Sequence, residues 1–174
     1  MVRRGVNWIM TRRQLIATAA AALVMVPASR LIGAVRAATR TSDQVFEITK
    51  TDAEWKQLLT PAQYDVLRKH GTERSGSSPL NGEHRKGVFV CAACALPLFS
   101  SDTKFDSGIG WPSFWAPLPN GVGTRLDQSL LEARTEVHCR RCGGHIGHVF
   151  NDGPRPTGLR YCMNGVAMTF RPAR

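Results

Sequence analysis

Cys91-Ala92-Ala93-Cys94 and Cys139-Arg140-Arg141-Cys142-Gly143-Gly144, with 44 residues between them, are the two stretches on which the fold turns. A two-residue gap lets both thiolates of one knuckle face the same tetrahedral ion. Two knuckles complete the four-thiolate set that structural zinc prefers, at about 2.3 Å per Zn–S bond. Gly143-Gly144 supplies the backbone freedom that close approach of amides to the sulfurs requires. The span between the knuckles is too long for a small finger, so the metal would pin distant strands together. Two disulfides are the alternative in an oxidising compartment, and a thioredoxin-like redox motif is the alternative for either knuckle alone.

Working outward from the knuckles, the later part of the chain reads as β-structure. Val88-Phe89-Val90, Val137, Val149-Phe150, Leu159 to Met163 and Val166 to Phe170 are strand signals, separated by turns at Asn120-Gly121, Asn151 to Pro154 and Asn164-Gly165. Before them lie two helix signals. Thr51-Asp52-Ala53-Glu54 is a capping box opening a helix to about Leu59, and Thr60-Pro61 opens a second that ends at His70-Gly71. Residues 71–87 form a polar, glycine-rich loop. No repeat is present apart from the knuckles. The expected class is α+β, mainly β, with antiparallel sheets and short N-terminal helices.

The chain's net charge of +10 suggests nucleic acid until its distribution is considered. Of the 23 Lys and Arg, six arginines lie within residues 1–37, which hold no acid; the other 17 face all 13 Asp and Glu. The balance of +4 that remains for residues 38–174 is ordinary for a globular domain, so no nucleic-acid partner is expected. Arg12-Arg13 precedes an apolar run, Leu15 to Val26, that Pro27 ends. As a helix this run spans about 18 Å at ~1.5 Å per residue, short of a bilayer core of roughly 30 Å. Residues 1–37 therefore read as a twin-arginine export signal with cleavage near Val35 to Ala38, and residues 38–174 as the exported domain. The expected location is the periplasm, with membrane anchoring if the leader stays uncleaved and Met10 as an alternative start. Export in the folded state favours zinc over disulfides, because the metal loads in the reducing cytoplasm.

Cys162 is the fifth cysteine and has no partner in this count. In an extended strand, Arg160, Cys162 and Asn164 share one face while Leu159, Tyr161 and Met163 share the other. A guanidinium beside a thiol favours the thiolate, the nucleophilic form. His145-Ile146-Gly147-His148 follows the second knuckle. Its histidines suit either a Cys₂His₂ metal site or acid/base work; with Cys91 and Cys94 available as ligands, the metal does not need them.

Residues 84–170 closely resemble the B class of peptide methionine sulfoxide reductases, which act on the R epimer. The matching segments are CAACALPLFSSDTKFDSGIGWPSFW, CRRCGGHIGHVFNDGPRPTGLRYCMN and GVAMTF, extended by the helices at 52–70 and the His-Gly-Thr-Glu at 70–73. The resemblance implies two antiparallel sheets with flanking helices, a structural zinc on Cys91, Cys94, Cys139 and Cys142, and repair of oxidised methionine in proteins. It implies Cys162 as nucleophile, with Arg160, Asn164, His145 and His148 as polar active-site residues. Trp111 matches the aromatic that packs on the substrate methyl, Phe150 adds to that pocket, and Asp106 lies in a matching motif. Attack on sulfur would leave Cys162 as a sulfenic acid. Two positions depart from the pattern: Ile109 stands where many members carry a resolving cysteine, and Gly165 where serine is common. An external thiol, such as a thioredoxin-like protein, would then reset Cys162. The rival readings are a zinc-stabilised binding or redox-sensing module without turnover, and a disulfide-stapled secreted binding domain.

Overall fold

Both capping boxes form. In the computed structural model, which describes residues 45–129 and 132–174, helix α1 (Asp52–Leu58) starts where the Thr51 hydroxyl accepts from the Glu54 amide at 3.3 Å and Glu54 accepts from the Thr51 amide at 2.7 Å. Helix α2 (Pro61–Lys69) repeats the device with Thr60 and Gln63, at 3.2 and 3.1 Å. Each box satisfies donors that a helix start would otherwise leave orphaned. The expected stop at His70-Gly71 occurs, but the left-handed residue is His70 (φ 59°) and not the glycine. Gly71 is needed for a different reason, since a side chain there would strike Asp65. The export leader and the boundary at residues 37 and 38 lie outside the described residues.

Nine strands follow among the described residues, every paired neighbour antiparallel. They are β1 (Gly87–Cys91), β2 (Pro97–Ser100), β3 (Lys104–Phe105), β4 (Ser113–Phe114), β5 (Val122–Asp127), β6 (Arg134–Cys139), β7 (His145–Phe150), β8 (Arg160–Met163) and β9 (Met168–Pro172). One sheet has the order β2-β1-β9 and the other β3-β4-β8-β7-β6-β5. The mainly β architecture with two antiparallel sheets is thus as the sequence implied. One expected strand is shorter: residues 165–167 form a 3₁₀ turn and β9 begins at Met168.

Aromatic packing joins the sheets. Phe99 of β2 stacks on Phe114 of β4 at 4.4 Å, and Phe89 of β1 meets Phe114 edge-on at 4.9 Å. All three rings are fully buried. The helices cover the large sheet and the second knuckle. Leu67 packs against Gly144, and Arg68 lies over the Trp55 ring and donates to the Cys142 carbonyl at 3.0 Å. No helix among the described residues is long and apolar enough to cross a membrane.

The two knuckles share one backbone design. Ala95 donates to the Cys91 carbonyl at 2.8 Å and Gly143 to the Cys139 carbonyl at 2.9 Å; Cys91 donates to Leu96 and Cys139 to Gly144, both at 2.9 Å. The residue after each second cysteine is left-handed, Ala95 at φ 59° and Gly143 at φ 68°. Glycine adopts that conformation freely, whereas alanine does so at a cost of about 1–2 kcal/mol. Ala95→Gly is therefore expected to stabilise the fold by roughly 0.5–1 kcal/mol, net of the extra unfolded-state freedom. Gly143→Ala, whose methyl would also meet the Phe46 ring, should destabilise it by about 1 kcal/mol or more. Urea midpoints of the two variants moving in the same direction would contradict this account.

Candidate active site and metal centre

β1 ends at Cys91 and β6 at Cys139, so the knuckles bring one cysteine pair from each sheet to a common point. All four sulfurs lie within 4.8 Å of one another. The closest contacts join the knuckles, Cys94 to Cys139 at 3.5 Å and Cys91 to Cys142 at 3.8 Å. A tetrahedron with bonds of about 2.3 Å has edges of about 3.8 Å. Four mostly buried thiols at that spacing fit one metal ion. The two histidines are not part of the shell; each faces a carboxylate instead.

Cys162 sits in β8, between β4 and β7, with Ser113 and His148 as its cross-strand partners. It lines a pocket of about 350 Å³ together with Trp111, His148, Phe150, Arg160 and Asn164. Five of the expected residues are thus gathered around the thiol. Two clefts of about 420 and 460 Å³ elsewhere contain neither a thiol nor a histidine. Gly147 forms part of the pocket wall, and a side chain there would strike the Cys162 carbonyl, so β7 and β8 approach because it is glycine.

Each polar group of the site is held by a partner that the sequence did not disclose. His148 Nε2 meets Asp127 Oδ2 at 2.8 Å. The Ser129 hydroxyl first, and His148 next, hold the Asp127 carboxyl well below the usual carboxylate range. Arg160 donates twice to Asp152, at 2.9 and 2.7 Å, and its guanidinium lies 4.4 Å from the Phe150 ring centre. Asn164 donates to the Ile146 carbonyl at 3.0 Å and accepts from the Glu73 amide at 2.9 Å. Glu73 clamps the region: its carboxylate accepts from the Gly165 and Val166 amides at 2.6 and 2.9 Å, and its carbonyl accepts from the Trp111 indole at 3.1 Å.

Two expected residues, His145 and Asp106, lie outside the pocket. His145 is 1% exposed and does not line the pocket; its Nδ1 meets Glu136 Oε1 at 2.8 Å. Burial raises the Glu136 carboxyl, but bonds from His145 and Arg125 outweigh it and bring it to about 2. Asp106 accepts from the Gly108 amide at 2.9 Å and faces a separate cleft behind Trp111. Ile109 lines the Cys162 pocket at 37% exposure, and no other thiol does. At Gly165, the Ser78 hydroxyl fills the space that a side chain would take.

Arg160 does favour the Cys162 thiolate, as expected, but it is outweighed. Burial pushes the Cys162 thiol above its usual value, by more than Arg160 draws it down, and Asp152 and Glu73 add to the rise. Arg160 is already committed to Asp152, so its charge is partly spent.

An unpaired thiol facing a carboxylate-held histidine across a strand ladder is the working geometry of a thiol-dependent enzyme. Residues 59–172 match the family model described as the SelR domain. A protein named peptide methionine sulfoxide reductase MsrB in Agrobacterium fabrum is 54% identical over 127 residues, covering 72% of this chain and 94% of its own. Namesakes in Leptospira interrogans and Methanosarcina barkeri are also 54% identical, over 127 and 125 residues, covering 72% and 71% of this chain and 97% and 88% of theirs. The chain belongs to the MsrB family of peptide methionine sulfoxide reductases.

The charges around Cys162 set its reactivity in opposite directions. Asp152→Asn should speed alkylation of Cys162 by iodoacetamide at pH 8, and Arg160→Leu should slow it, with site occupancy read by mass spectrometry. Equal rates in both variants would remove these two residues from control of the thiol.

Proposed function

We propose that this chain reduces methionine-R-sulfoxide in peptides to methionine, as a peptide-methionine (R)-S-oxide reductase. The observation that carries the reading is Cys162 in a pocket walled by Trp111 and Phe150, with His148 directly opposite it on the neighbouring strand. Trp111 and Phe150 offer the apolar wall a methyl group needs, while His148 offers a proton to the sulfoxide oxygen. The Cys162 sulfur attacks the sulfoxide sulfur, the protonated oxygen passes to Cys162, and the S–O bond to methionine breaks. Methionine is reduced and Cys162 becomes a sulfenic acid. Arg160 and Asn164 order the pocket around the thiol, and His145 acts from behind His148.

An external thiol then condenses with the sulfenic acid, releasing water, and a second thiol frees Cys162 as the external pair becomes a disulfide. Ile109 and the commitment of the other four cysteines support an outside reductant, thioredoxin-like in class. The metal on Cys91, Cys94, Cys139 and Cys142 is zinc, the ion suited to four thiolates in a tetrahedron. When bound it supplies a cross-link between the sheets and takes no part in the reaction.

Residues 1–37 act as a twin-arginine signal that delivers the domain of residues 38–174 to the periplasm. The arginine pair, the short apolar run and the absence of acid support this reading. Retention of the leader would anchor the domain at the membrane.

In a chiral sulfoxide assay with excess dithiothreitol, Cys162→Ser should lose R-epimer reduction while keeping its fold and metal. Cys91→Ser should lose zinc, counted by elemental analysis, and unfold at lower temperature. Wild-type protein that oxidises at Cys162 but consumes no sulfoxide would instead mark a sensing or binding module. For the leader, Arg12→Lys with Arg13→Lys should trap the full chain in the cytoplasm; unchanged periplasmic delivery on cell fractionation would exclude the twin-arginine route.

A further inference from the structure

One buried carboxylate organises the side of the site away from the pocket. Glu136, on β6, is 1% exposed and receives three partners. Its Oε1 lies 2.8 Å from His145 Nδ1 and 3.3 Å from His70 Nδ1, and its Oε2 accepts from Arg125 Nε. His70, Glu136 and His145 bring donor atoms within 4.8 Å of one another, as a metal site would. The cluster is closed without one, because Arg125 donates to one carboxylate oxygen and the His145 N–H to the other, with the His70 ring alongside.

That arrangement fixes the protons. An ionised carboxylate only accepts, so His145 must carry its hydrogen on Nδ1. In the neutral ring Nε2 is then a bare lone pair, and it has no hydrogen-bond partner among the described residues, where a buried N–H would be left unsatisfied. His148 is held the other way round, with Nε2 on Asp127 and Nδ1 left over. The two rings stand 5.2 Å apart, nearly edge to face. Two neighbouring histidines thus expose different nitrogens, each set by its own acid. The charged and titratable groups around His145 are Glu136, His138, Arg125, Asp127, His70 and His148.

We propose that Glu136 is a positioning residue for the reaction, locking His145 in the Nδ1–H tautomer so that its Nε2 accepts the proton His148 takes from Cys162 and returns it to His148, which delivers it to the sulfoxide oxygen. This deepens the reductase reading and rests on it. A glutamine at position 136 keeps the shape but lacks the charge, and its amide can donate as well as accept. The lock on the tautomer is then lost.

Three measurements test the assignment. In ¹⁵N-histidine-labelled zinc-loaded protein, the wild-type His145 resonances should report the Nδ1–H tautomer, and Glu136→Gln should shift them toward Nε2–H. With a saturating sulfoxide substrate, Glu136→Gln should lower kcat by about 10–100-fold, the range for residues that orient a reacting group through another, with KM within about twofold. In a His145→Ala background, Glu136→Gln should cost nothing further, because both changes remove one function. An Nε2–H tautomer in the wild type overturns the proposal even if Glu136→Gln does not fold. So does a full, multiplicative loss in the double variant. A wild type that consumes no sulfoxide would refute the reductase reading alone, since the tautomer is read without turnover.

Discussion

Four sulfurs from two different sheets must meet within 4.8 Å, and the rest of the molecule is arranged around that convergence. β1 and β6 end at the shell, so their directions are set there, and β7 begins only six residues after β6 stops. The aromatic cluster of Phe89, Phe99 and Phe114 joins the same sheets, but ring pairs add only about 0.5–1.5 kcal/mol each beyond their buried area. A structural zinc on four thiolates is associated with roughly 10–16 kcal/mol at neutral pH. Zinc held by these four thiolates would therefore be the strongest single tie between the sheets. The matching hydrogen bonds of the two knuckles follow from this, because each must turn its backbone to present two sulfurs to one point.

The active site obeys a second constraint, that a buried cation or imidazole needs a fixed carboxylate. Asp152 holds Arg160, Asp127 holds His148, and Glu136 holds His145. Breaking the fully buried His145–Glu136 pair would cost several kcal/mol, whereas the Arg160–Asp152 pair, with Asp152 largely exposed, is screened by solvent and contributes less. Pairing removes that cost and fixes ring orientation at the same time. At Cys162 burial outweighs the pull of Arg160 toward the thiolate, and Asp152 adds a smaller push the other way.

Elements specified by neighbouring residues were legible from sequence. Both capping boxes and both knuckles link residues three apart, and the alternation from Arg160 to Cys162 is a property of one strand. The two-residue strands β3 and β4 left no periodic signal, since pattern needs length to be seen. The site's supports were hidden for a different reason. Glu73 reaches Val166 across 93 residues and Asp127 reaches His148 across 21, so no local spacing announces either. Glu73 was visible only as the end of a matching segment, and Asp152 only as part of a turn. The effect of Arg160 on Cys162 was legible because the two are near neighbours, whereas the opposing burial is a property of the folded whole.

Burial that pushes the Cys162 thiol up is consistent with the proposed chemistry once the protons are counted. A thiol and a sulfoxide give a sulfenic acid and a thioether with no net gain or loss of protons. The proton that Cys162 must release is the one the sulfoxide oxygen must receive, and His148 lies opposite Cys162 on the adjacent strand to carry it. Burial that raises the thiol also suppresses its ionisation, and with it idle oxidation, while the pocket is empty. That matters more here than in a chain with a second thiol nearby, because Ile109 occupies the pocket wall and the other four cysteines lie together in their own cluster. A Cys162 oxidised without substrate has no second thiol in its pocket to meet it, so suppressed ionisation and the lack of a neighbouring cysteine act in the same direction.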